Sequence, residues 1–151
     1  MGLKAISRLI KGAPDYESGI WTPTLGATSA DGSHTYSQNE GHYARVGNIV
    51  WLAATVAVTT LDGAMSGNVA IKGLPFTSSL SGVGVAFTVS RAVGVNIDAA
   101  GGYTTVTATL KAGNNEVALR EEGDNTAFSD LTQAAFTNGA QVIVAGTYLT
   151  S

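Results

Sequence analysis

The chain has no cysteine, and only 13% of its 151 residues are charged. Without cysteine, disulfide frameworks and thiolate metal sites are excluded. Eight Lys and Arg stand against eleven Asp and Glu, for a net charge of −3. That balance leaves no basic excess to track a phosphate backbone, which excludes nucleic-acid binding by the usual electrostatics. No apolar run reaches the roughly 18 residues needed to span a bilayer. What is present is apolar: 44% of the chain, with 19 glycines. This is too apolar for disorder, and the length suits one domain. The charged share is about half the usual quarter. Such a surface is short of solvating charge, and points to cover by a partner.

The first fourteen residues differ in texture from the rest. Leu3, Ile6, Leu9 and Ile10 recur at helical spacing, with Lys4, Arg8 and Lys11 on the remaining circumference. The spacing predicts a short amphipathic helix over residues 1–14, stopped by Gly12 and Pro14. The cations interrupt any secretory apolar stretch, and Ile6 stands where a myristoylation signal needs Ser or Thr. A helix this short is marginal alone in water, so it is expected to dock as an anchor. A basic membrane-surface helix is the runner-up, weakened by the lack of an aromatic anchor. Residues 15–19 read as a linker and residues 20–151 as the folded domain.

From residue 20 onward, helical periodicity gives way to Gly, Thr, Ser, Ala and Val. Residues 47–60 form the strongest strand pattern, rich in β-branched residues and opened by a Gly-Asn turn. Further strands are expected at residues 68–72, 83–90, 103–110, 116–121 and 141–150, where apolar and small polar residues alternate. Asp62-Gly63, Ser81-Gly82, Gly101-Gly102, Gly113-Asn114 and Asn138-Gly139 supply turns between them. Short strands at this spacing predict an all-β antiparallel sandwich or barrel. Only residues 129–136 read as helical, for a single turn capped by Ser129 or Asp130.

Two strands are apolar on both faces. In residues 49–60 the odd positions carry Ile49, Trp51, Ala53 and Ala57, and the even ones Val50, Leu52, Val56 and Val58. In residues 141–150, Val142, Val144 and Tyr148 oppose Ile143, Ala145 and Leu149. A strand with one wet face should alternate apolar and polar. A second copy of the chain is the simplest cover for the extra face. Trp51, Val56, Val58, Val142, Val144 and Tyr148 are the candidate interface residues. The opposing account is that small Ala, Gly and Thr side chains tolerate water.

Three ordered fragments carry a resemblance: Gly19-Ile20-Trp21-Thr22-Pro23-Thr24-Leu25, then Gly41-His42-Tyr43-Ala44-Arg45-Val46-Gly47-Asn48-Ile49-Val50, then Gly73-Leu74-Pro75-Phe76. A fourth, Ser129-Asp130-Leu131 with Asn138-Gly139-Ala140-Gln141-Val142 and Gly146-Thr147-Tyr148, closes the chain. Together they resemble a module of tailed-bacteriophage tail fibres and tailspikes, over nearly the whole length from Gly19. The resemblance implies a jelly-roll-like β-sandwich that forms a homotrimer on the virion, at the tail or capsid surface, made in the host cytoplasm. It implies attachment to other virion proteins through the N-terminal helix and contact with the host surface. Such modules commonly end longer fibres, so a chain with about twenty preceding residues also suits a small fibre or a capsid decoration protein. Read physically, Trp21 is expected to be buried along the sheet, and Tyr43 and Arg45, of one parity, to share a face. Residues 26–38, 61–67, 98–102 and 111–115 are expected as loops at the far end. Tyr103, Asn114 and Asn115 are the candidate contacts if a host glycan is bound.

Catalytic signals are sparse. His34 and His42 lack metalloprotease spacing, and no Gly-x-Ser-x-Gly elbow is present. Glu121, Glu122 and Asp124 form the one acidic cluster, a residue type able to cleave glycosides or hold calcium. A solvated strand end accounts for it more simply. The reading is a binding protein without cofactor, not an enzyme, with a small depolymerase using those carboxylates as the remote alternative.

Overall fold

The computed structural model describes residues 15–80 and 84–151. The expected anchor helix, with Leu3, Ile6, Leu9 and Ile10, lies outside the described residues. Among the described residues ten antiparallel strands form one sheet: β1 (Tyr16–Trp21), β2 (Thr24–Ala27), β3 (Thr35–Val46), β4 (Ile49–Thr60), β5 (Val69–Lys72), β6 (Val85–Val95), β7 (Thr105–Leu110), β8 (Val117–Gly123), β9 (Thr126–Asp130) and β10 (Phe136–Leu149). Their order is β1-β3-β4-β10-β6-β7-β8-β5-β2, with β9 beside β8. The all-β antiparallel class stands. Where the sequence suggests two separate sheets, the strands instead make one continuous curled sheet, a half-barrel.

The curl follows from one short connection. β1 and β2 are opposite ends of the strand order, yet only Thr22 and Pro23 join them. Trp21 and Thr24 are therefore at most about 11 Å apart, three Cα steps of 3.8 Å. The Tyr36 hydroxyl of β3 staples the two ends together: it accepts the Leu25 N–H at 3.1 Å and donates to the Leu25 carbonyl at 3.4 Å. Backbone groups of an edge strand are thereby satisfied inside the protein.

Both halves of the curled sheet turn their apolar sides inward. Val50, Leu52 and Val56 of β4 and Val142 and Val144 of β10 meet Ile71, Leu110, Val117 and Leu119 from the opposite half. Trp21 is buried as expected, and it explains Gly41, its partner across the β1–β3 ladder: a Cβ at Gly41 would fall on the indole ring. Tyr43 and Arg45 do share a face. The Tyr43 ring meets Phe76 edge-on at 5.3 Å, and the Arg45 guanidinium lies 4.9 Å over the same ring.

Two local expectations are corrected. Residues 16–19 are not a linker but the start of β1, paired with Tyr43 to Val46. A Ser-Gly pair gives no strand signal by itself; the long neighbour β3 supplies the pairing. Residues 129–130 end β9, and only Gln133–Ala135 makes a single 3-10 turn, whose cap residue Thr132 forms no side-chain cap bond.

Candidate interaction surface

The exposed side of β1, β3, β4 and β10 carries a mainly apolar depression bordered by polar side chains. The register aligns Ile20, His42, Ala53, Ala145 and Thr88 in one row across five strands. The next row runs Ser18, Ala44, Trp51 and Thr147. Ile20 is 66% exposed and Trp51 46% exposed. Because the intervening positions are alanines, the surface sinks between the larger side chains. The result is a depression of about 580 Å³ walled by Trp51 and His42 and floored by Ala44, Ala53 and Ala145. Its charge is confined to one exposed pair, His42 Nε2 to Glu40 Oε1 at 3.0 Å.

This geometry divides the six interface candidates. Trp51 faces outward, into the depression. Val56, Val58, Val142, Val144 and Tyr148 are fully enclosed in the chain's own core, so they are not surface a second copy can touch. Both β4 and β10 are central strands of the curled sheet, and their even-numbered residues face the opposite half. The outward set is instead Trp51, Ala53, Thr55, Ile143, Ala145 and Thr147, joined by Ile20 from β1.

Comparison with solved structures places this architecture. The crystal structure of the Dettilon tailspike protein superposes with a TM-score of 0.71 at 20% sequence identity, covering 88% of this chain. The two share a fold. The chain spans 23% of the length of that tailspike protein. No protein-family profile and no curated protein sequence matches the chain.

The tailspike-like fold has two distinguishable ends. At one, the Asp15 carbonyl accepts the Gly47 N–H at 2.8 Å and the Ser151 carbonyl accepts from Arg45 at 3.3 Å, so residues 15 and 151 lie beside the β3–β4 turn. The other end carries the loops 28–34, 61–67 and 96–104. The first two are joined by the Ala30–Ser66 bridge and by Asp62, whose Oδ2 accepts the Ser33 N–H at 2.7 Å. His34 Nδ1 accepts the Asp62 N–H at 3.0 Å, which fixes the ring. Residues 111–115 were expected among these loops but sit at the opposite end of β7, where the Asn114 and Asn115 carbonyls hold Ser78 and Leu74.

The same placement separates the glycan candidates. Tyr103 precedes β7 while Asn114 and Asn115 follow it. A six-residue strand puts them about 20 Å apart. They do not form one site. The acidic cluster also disperses. Glu121 is buried and accepts the Asp98 N–H at 2.9 Å, Glu122 accepts the Thr107 hydroxyl at 3.1 Å, and Asp124 stands exposed in the β8–β9 turn. Neighbouring strand positions point to opposite faces, so Glu121 and Glu122 do not converge.

At the loop end, Lys72 Nζ meets Asp31 Oδ1 at 2.6 Å, and the same oxygen accepts the Ala27 N–H. The Lys72 hydrogen bond, ahead of the opposing cost of desolvation, holds the Asp31 carboxyl below its ordinary value. With the folded value depressed, the stabilisation is present above the unfolded value of about 3.9 and is lost as pH falls through the folded one. The melting-temperature gap between the native chain and Asp31→Asn should therefore close as pH drops below about 4. A gap independent of pH would show that the ionised carboxylate contributes nothing.

Proposed function

We propose that the chain is a module of a tailed-bacteriophage virion appendage, a homotrimer of these curled-sheet subunits. The observation that carries this reading is the apolar outer face around Trp51, on a fold shared with a tailspike protein. A mainly apolar depression of this kind, almost free of charge, marks a surface built for protein contact. In the trimer the outward residues of β4 and β10 pack against neighbouring copies. Residues 1–14 anchor the assembly to other virion proteins from the end that holds residue 15. The loops 28–34, 61–67 and 96–104, at the other end, face the host surface. The domain acts by binding, without turnover or cofactor.

Light scattering at micromolar concentration tests the central point. The expected mass is three times that of one chain, and a monodisperse monomer would overturn the assembly. Removing residues 1–14 should leave the β fold intact and abolish incorporation into particles. Unchanged incorporation would reject the anchor.

A further inference from the structure

Strand β6 changes neighbours along its length. Val85, Ala86 and Phe87 pair with β7, whereas the stretch from Thr88 onward pairs with β10. β6 and β7 consequently part toward the loop that joins them. Among the described residues no ladder links the second half of β6 to Thr105 and Val106. Backbone donors and acceptors along this gap lack the neighbouring strand that a closed sheet would supply.

The gap is a cleft of about 300 Å³. Val89, Val106 and Ile97 are half-buried within it, while Ser90, Thr105 and Arg91 stand exposed along it. Ser90 is the extra residue of a β-bulge, since Val89 pairs with Val144 and Arg91 with Ile143. Bulges bend a strand and re-aim the side chains beside them, and they recur next to binding sites. Among the described residues Arg45, Lys72 and Arg120 are held by Gly47, Asp31 and Asp130, whereas the side chains of Arg91 and Lys111 have neither an ion pair nor a hydrogen bond, and of these two only Arg91 lines the cleft.

We propose that this cleft binds an acidic, hydroxyl-rich ring, of the uronic-acid type. The volume lies at the lower bound of about 300 Å³ for ligand pockets, which suits one ring. The aliphatic side chains take the ring's C–H face. Ser90, Thr105 and the unpaired strand edges meet its hydroxyls. The free guanidinium of Arg91 takes the carboxylate, by the planar two-point pairing that arginine favours. A carboxylate alone would leave the aliphatic floor unused, and a neutral sugar would leave Arg91 unpaired. The proposal needs only a single folded chain; Arg91 is the register partner of Ile143, so the cleft borders the face assigned to subunit contact.

The test is a titration of the ¹⁵N-labelled full chain with glucuronate, glucose and acetate, followed by amide shifts. Glucuronate should move resonances at residues 89–91 and 104–106 and bind at least tenfold more tightly than either of the others. Arg91→Gln should weaken glucuronate by about ten- to a hundredfold, the range for a charge-assisted hydrogen bond, with no change in melting temperature. Arg91→Lys, which keeps charge but not the planar fork, should fall between. Glucose binding as tightly as glucuronate, acetate matching it, shifts confined to other residues, or an unaffected Arg91→Gln would each overturn the site.

Discussion

Trp51→Lys should convert the proposed trimer into monomers while leaving each chain folded. The indole is the largest side chain on the outer face and stands among alanines, the setting in which one aromatic residue dominates an interface. Lysine removes that anchor and places a cation in the contact. An uncompensated charge in a desolvated contact costs about 3–5 kcal/mol, and in a cyclic trimer the cost recurs at every boundary. Folding is spared because the side chain points away from the core. Light scattering should therefore fall to the single-chain mass, with the circular dichroism spectrum of the β domain retained. Ala53→Glu, one row along the same face, should act alike. A trimer surviving both changes would move the interface elsewhere on the molecule.

Tyr148→Ala should have the opposite signature, a loss of folding rather than of assembly. Tyr148 is 2% exposed, its ring lies 6.3 Å from that of Phe87, and its hydroxyl donates to the Phe76 carbonyl at 2.9 Å. Burial pushes the phenol up to about 12. Truncating a buried aromatic side chain to alanine costs about 3–5 kcal/mol. Against a typical domain stability of about 5–15 kcal/mol, that is a large share. Denaturant titration should show a strongly lowered midpoint. Tyr148→Phe, which keeps the ring and deletes one hydrogen bond, should cost only about 1 kcal/mol. An unchanged midpoint for Tyr148→Ala would place the residue outside the core and reverse the assignment of faces on β10.

The strands that could be read from the chain are those whose own residues alternate. β4 and β7 fall where β-branched residues recur at period two. β1, β2, β3 and β9 escaped that reading: residues 26–27 and 35–38, expected as loop, belong to β2 and β3, and Tyr16-Glu17-Ser18-Gly19 and Thr126-Ala127-Phe128 hold no such pattern and depend on β3 and β8 for their hydrogen bonds. Gly41 was visible only as part of a motif, and its reason, the indole pressed against it, belongs to another strand. The Arg91 cleft had no local signal at all. It arises where β6 exchanges one partner for another, which is a property of three strands together.

The amino-acid order by itself determined the all-β class, the turns at Asp62-Gly63, Gly101-Gly102 and Gly113-Asn114 but not the one expected at Asn138-Gly139, which lies inside β10, and the fact that β4 and β10 carry apolar residues on both sides. It could not decide which side is the core. Period-two alternation sorts residues into two sets, but Val50 with Val56 and Trp51 with Ala53 are both acceptable interiors when the strand is taken alone. The tertiary structure made that choice, because the two-residue passage from β1 to β2 curls the sheet and brings Ile71, Leu110 and Leu119 over the even-numbered set. The odd-numbered set was thereby left outward, and with it the face that a partner can cover.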